Sequence, residues 1–312
     1  MLEQVVMDGL SFALPLFVMA VGGIYSERSG IVNLALEGFQ GVGAFVGALA
    51  TVVLTRTVGV ESQISYYVAL LFAMIGGMCY AAIHAVLCVK FKANQVISGV
   101  VVNILAMALT TVMTKEVNRV LFGASSDKFV LGISPKWELP GSIHISVYPF
   151  EIIIIVVAVG AWYLLYKSRY GLYLRACGDN PHAVDAAGVR VDSIRFRAVM
   201  ISGALSGLAG ISFAYAISAN FSAGIYAGYG YLSIAALIFG NWKMIPTLAA
   251  CLFFGFAKSV GYQLVRLAEL PSSYSDLIMV LPYVFTILLL ICFSKHNDAP
   301  RALGEIYDKG AR

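Results

Sequence analysis

Long apolar runs separated by short polar joints set the pattern of this chain. They lie near residues 9–25, 31–54, 64–89, 95–114, 147–166, 195–218, 226–241, 244–264 and 276–294. A bilayer core takes about 20 residues of α-helix, whereas barrel strands alternate over segments of about 10 residues. These runs are continuous, so they predict an all-α polytopic membrane protein of about 9 transmembrane helices (8–10) in one transmembrane domain, 1–312. Two runs are irregular: 31–54 starts polar, as a half-helix before a full one would, and 226–241 is short and Gly-rich.

One polar stretch interrupts the pattern. Lys167–Arg197, KSRYGLYLRACGDNPHAVDAAGVRVDSIRFR, carries six Lys/Arg against three Asp. Inside it Asn180 suits a helix cap, Pro181 the first helical position and Gly188 the stop, which predicts a two-turn helix through Ala187. A capped helix on a basic loop between spans reads as a docking element. Two turns are too short to be helical alone, so a bound partner is expected to stabilise them through the small apolar residues Ala183, Val184, Ala186 and Ala187.

Composition agrees with lipid as the main solvent: 60% of the 312 residues are hydrophobic and only 12% charged. The net charge of +4 is explained by topology rather than nucleic-acid binding. With the loop 167–197 placed in the cytoplasm, Arg28, Lys90, Lys92, Lys243 and the tail 295–312 join it. Arg56, Lys115, Arg119, Lys128, Lys136 and Arg266 then lie outside. That asymmetry satisfies the positive-inside rule, with the N-terminus outside and 115–146 as the longest external loop. This loop and the Gly- and aromatic-rich segment 219–230, NFSAGIYAGYGY, read either as receivers of a solute or external partner or simply as caps of helix ends. The start, MLEQVVMDGL, lacks the basic region of a cleavable signal, so the first span is expected to be retained. Five scattered cysteines, without a CxxC pair, read as small buried apolar residues, with no metal site.

Polar residues inside spans are costly and mark either structural ties or a pathway. Asn33, Glu37 and Gln40 have the spacing of one helical face, near the inner end of their span. Asn33, Glu37 and Asn103 are the pathway candidates; His84 reads as hydrogen-bonded scaffold, and Lys258 as paired with an acid or snorkelling. Gly43/Gly47 and Gly203/Gly207, extended by Ser202, Ser206 and Gly210, let helices approach closely, within the chain or at a subunit interface. No GxxxxGK[ST] loop is present, nor HExxH or GxSxG. A transport subunit is therefore expected, neither an enzyme nor an ATPase in itself, and without a cofactor of its own.

Three segments carry a resemblance: ERSGIVNLALEGFQGVGAFVGAL (27–49), LRACGDNPHAVDAAGVRV (174–191) and GYLSIAALIFGNWKMIPTLAACLFFGFAKS (230–259). They resemble permease subunits of bacterial ABC importers, in the group handling ribose-type sugars, branched-chain amino acids and nucleosides. GIVNLALEGF and IAALIFGNW look most like the nucleoside branch, with Ala35 where that pattern has Gly, and NWKMIP as a second departure. The resemblance implies an ABC importer permease fold in the bacterial cytoplasmic membrane, multi-pass, with a cytoplasmic coupling helix. Its core here is Asp179, Asn180, Pro181, Ala183, Val184, Ala186, Ala187 and Gly188. It also implies four partners: a cytosolic ABC ATPase that binds the ATP, a second and different permease chain, an external substrate-binding lipoprotein, and membrane lipid. Arg175, Arg190, Arg195 and Arg197 would contact the ATPase or anionic headgroups. The competing readings are a permease for simple sugars or branched-chain amino acids, an ion-coupled secondary transporter, and a non-transporting scaffold. Glu37 is the only acid clearly inside a span, which argues against ion coupling.

Overall fold

The structure is a computed structural model that describes residues 2–59, 62–132, 137–138, 146–217, 219–224, 227–268, 280, 284 and 298–309. Its helices are α1 (Leu2–Arg28), α2 (Leu36–Val52), α3 (Ser62–Ala85), α4 (Gln95–Phe122), α5 (Pro149–Lys167), α6 (Arg169–Asp179), α7 (Pro181–Ala186), α8 (Val191–Ile217), α9 (Tyr229–Phe239) and α10 (Met244–Leu267). Short π-helical turns extend α2 over Val53–Val58 and α3 over Val86–Lys90. Among the described residues, seven helices are long and apolar enough to cross a membrane. The chain is an all-α polytopic membrane protein.

The expected count of nine is revised at one place and left open at another. The run 226–241 forms α9, only 11 residues, which at 1.5 Å per residue is about 16 Å and too short to cross. The run 276–294 falls outside the described residues, apart from Val280 and Val284. The run 31–54 is not a half-helix before a full one: residues 29–35 turn irregularly, and one helix starts at Leu36. Helix α4 outruns its predicted end, 114, by two turns.

The centre of the bundle is α1, α2, α3 and α8, each packed against at least two of the others, with α10 along α1. Small residues make this possible. A Cβ on Gly43 would overlap the backbone of Gly207, and one on Gly203 would overlap the Gly77 carbonyl. In lipid such close approach supplies the van der Waals contact that drives helix association. The glycine pairs therefore serve packing within the chain. Helix α4 buries a single stripe (Ser98, Val102, Ala106, Thr110, Thr114) and leaves Ile104, Met107 and Val112 exposed.

The bundle has two distinct ends. At the basic end lie Arg28, Lys90, Lys92, Lys243, α6, α7 and the segment 298–309. At the strand end, β1 (Lys128–Val130) pairs antiparallel with β4 (Asn220–Ser222), and β2 (Trp137–Glu138) with β3 (Ser146–Val147). The two loops with external character, 115–146 and 219–230, are thus joined by a strand ladder.

Candidate functional site

Between α2, α4, β4 and α9 lies a half-open cleft of about 190 Å³, lined by Glu37, Gln40, Asn103, Thr110 and Tyr231 with Ile104, Met107 and Phe221. It lies deeper than the sequence suggests. Asn33, three residues before α2, donates to the Ser202 hydroxyl at 2.9 Å. Ser202 is 11 residues into α8, so this junction sits about 16 Å along that helix, near its middle. The placement of Asn33–Glu37 near an inner span end is corrected: residues 29–35 re-enter the bundle.

Glu37 is half-buried, and its carboxylate accepts from the Gly228 N–H at 2.8 Å, with the Gly230 and Tyr231 amides also facing it. These amides open α9, whose first turn has no capping side chain of its own. A carboxylate from α2 thus supplies the cap and complements the positive end of the α9 dipole. Asn103 works beside it. Its Oδ1 accepts from Gly38 N–H at 2.7 Å, and its Nδ2 donates to the Leu34 carbonyl at 2.7 Å and the Tyr231 hydroxyl at 3.2 Å. Gln40 forms the floor, 1% exposed, with its Oε1 unpartnered.

Of the three pathway candidates, the structure brings Glu37 and Asn103 to the cleft and leaves Asn33 out. Asn33 is fully buried, and its Oδ1 accepts from Ala35 N–H at 3.1 Å, which fixes the turn into α2. It precedes the helix, so it does not share a helical face with Glu37 and Gln40. Sequence reading missed Thr110 and Tyr231, while Phe221 falls in the aromatic-rich segment 219–230. Thr110 sits on the buried stripe of α4, but Tyr231 gives no such signal before α9 is placed.

Two other intramembrane groups are structural. His84 is fully buried, with Nδ1 2.9 Å from the Ser98 hydroxyl and Nε2 3.3 Å from the Val32 carbonyl. Lys258 is buried: its ammonium donates to the Tyr229 hydroxyl at 2.6 Å and lies 3.8 Å from the Phe12 ring centre, and among the described residues no acid pairs with it. Cation–π attraction at such a desolvated site is worth about 2 kcal/mol.

At the basic end, the polar loop is more ordered than its composition suggests. Helix α6 fills Arg169–Asp179, capped by the Ser168 hydroxyl, which accepts from Gly171 N–H at 3.0 Å. Helix α7 has the predicted form: the Asn180 side chain accepts from Ala183 N–H at 3.0 Å, Pro181 follows, and Gly188 takes φ +82°. Asp179, Asn180, Ala183, Ala186, Ala187 and Gly188 are exposed, whereas Pro181 and Val184 turn into the protein. An apolar groove of Leu172, Tyr173, Ala183, Val184 and Ala187 runs between α6 and α7, with Val184 the buried member of its lining.

One arginine is reassigned. Arg195 touches neither headgroups nor an outer surface; it is 2% exposed, with Nε donating to the Ser29 carbonyl at 3.1 Å and one Nη to the Glu305 carbonyl at 2.9 Å. The Arg175 guanidinium lies 5.5 Å from the Tyr166 ring. Cys88, Cys177 and Cys251 are buried as read, but Cys79 is exposed; Cys292 lies outside the described residues. Burial pushes the Cys177 thiol up to about 11. Among the described residues no cluster of three or more His, Cys, Asp or Glu is placed to hold a metal.

A family of permeases, described as the permease component of the branched-chain amino acid transport system, matches residues 5–290. The chain belongs to that permease family. It is 37% identical to the guanosine ABC transporter permease protein NupQ of Bacillus subtilis, over 100% of this chain and 98% of that one. It is 35% identical to the nucleoside ABC transporter permease protein NupC of Lactococcus lactis, over 99% and 98%. A second guanosine permease of Bacillus subtilis, NupP, is 27% identical over 95% and 83%. No solved structure matches the chain. The permease is thus a transport component and a multi-pass protein of the bacterial cytoplasmic membrane.

Proposed function

We propose that this permease is the transmembrane subunit of an ATP-driven nucleoside importer. The observation that carries the reading is near-full-length similarity to two permeases named for guanosine and nucleosides. The cleft chemistry agrees. Its lining has one carboxylate, neutral hydrogen-bonding groups and two aromatic rings, with no lysine or arginine. Such a surface suits an uncharged polyol bearing a planar heterocycle, and repels a nucleotide's phosphate. On this reading Glu37 and Asn103 line the path. Its volume falls short of the 300–1,000 Å³ of ordinary ligand pockets, as half a pathway completed by a second permease would.

The energy enters at the basic end, which is the cytoplasmic side. The exposed face of α6–α7 docks a separate ATPase through Ala183, Ala186 and Ala187, flanked by Asp179, Asn180 and Gly188. An external binding lipoprotein delivers substrate at the strand end, and a different permease chain completes the pair. That two guanosine permeases of one organism both resemble this chain supports such pairing.

The test is uptake of labelled nucleosides, ribose and leucine by cells with and without the gene, each challenged with unlabelled competitors. Nucleoside uptake should depend on the gene. Gene-dependent uptake of ribose or leucine, with nucleosides neither taken up nor competing, overturns the substrate. Within the same assay, Ala183→Glu should abolish uptake while the permease still inserts.

A further inference from the structure

The segment after the last apolar run does not hang free. Residues 298–309 fold back as a strap across the basic end. Asp298 N–H donates to the Asn241 side chain at 2.8 Å, at the turn between α9 and α10. Ala302 N–H donates to the Gly178 carbonyl at 2.8 Å, at the end of α6, and Gly304 N–H donates to the Gly30 carbonyl at 3.0 Å, just past α1. The Glu305 carbonyl accepts from Arg195 of α8, the same guanidinium that holds the Ser29 carbonyl. Asp308 pairs with Lys92 at 2.9 Å, ahead of α4.

The strap then reaches α7 itself. Tyr307 is buried, with its ring 5.3 Å from that of His182, and Lys309 lies 3.7 Å from the Asp185 carboxylate. Between the caps of α7 only Pro181 and Val184 are buried. A six-residue helix has too few internal bonds to persist without such support. Ala302 and Tyr307 are buried while Ile306, between α7's neighbours and solvent, is exposed. This is the pattern of an element seated on one face and open on the other.

We propose that the strap 298–309 is a positioning element that fastens α7 to α1 and α8, so that movement of a docked ATPase reaches the transmembrane helices. The inference rests on the reading of α7 as the ATPase contact. Without the strap, the ATPase can still meet α7, but α7 yields instead of pulling on the bundle.

The experiment uses the whole transporter with residues 301–309 replaced by a Gly/Ser segment of equal length. The permease should insert and co-purify with its partner permease, while nucleoside uptake and substrate-stimulated ATP hydrolysis fall at least about fivefold. Uptake and stimulation within about twofold of wild type overturn the inference. Should this variant fail to accumulate, Y307A combined with K309A removes only the contacts to α7. A drop in stimulation beyond about twofold supports the strap, and unchanged stimulation refutes it. A183E is run in parallel. If A183E blocks transport and the strap variants do not, the strap inference alone falls; if A183E transports normally, the docking reading falls with it.

Discussion

The cleft and the basic end of this permease are built in opposite ways. The cleft is half-open and held by few polar bonds, most from Glu37 and Asn103. At the basic end, α6, α7, the turn after α1, the start of α8 and the strap 298–309 are tied by a dense set of backbone and charged contacts. On the importer reading proposed above, the first suits a surface that lets solute pass and the second a surface that transmits force. The contrast teaches that polar groups inside this bundle can serve two different ends: lining an opening, or fastening one element to another.

The harshest challenge to both ends is to spoil the frame that joins them. Gly207→Leu puts a side chain where the Ala73 carbonyl and the Gly77 backbone of α3 already lie. Overpacking ordinarily costs about 1–3 kcal/mol, and rigid backbone at the contact raises it, so loss of folded protein in detergent chromatography is expected. Next is Arg195→Leu, which strips the Ser29 and Glu305 carbonyls of a buried charged donor. It should lower stability by about 3 kcal/mol, read as a fall in thermal midpoint with the strap newly open to protease. Glu37→Ala removes the cap of α9 at about 1–2 kcal/mol, while Glu37→Gln keeps an acceptor and should cost less than half of that. If Gln restores stability without restoring uptake, the negative charge itself serves transport. Asn180→Ala should cost about 1 kcal/mol, confined to α7, and appear as weakened ATPase stimulation with an unchanged thermal midpoint.

The bundle itself was legible because lipid leaves so few options: continuous apolar runs of about 20 residues become helices. The cap, proline and glycine of α7 were equally readable, since each acts through its own local backbone. What escaped was set by distant partners. Val184 looks like any small apolar residue of a docking face, and its burial at the groove between α6 and α7 has no local sign. Arg195 reads as one more loop arginine until the strap returns, more than 100 residues later, to meet it. Helix α6 did leave a trace: Gly171, Leu174, Cys177 and Gly178 are its buried positions, spaced three and four apart, but two arginines and an aspartate masked it as loop. For the cleft, Glu37 and Asn103 stood out by polarity alone. Tyr231 did not, because nothing local says that a half-length helix will bring it there.

The ladder between β1 and β4 has a consequence for how this subunit can move. It pins the far end of α4 to the segment leading into α9, with Phe129 opposite Phe221 and both rings buried. The two walls of the cleft therefore share a lintel, which holds them from parting on this side. A disulfide across Lys128 and Ser222, which face each other in register, should then leave transport running.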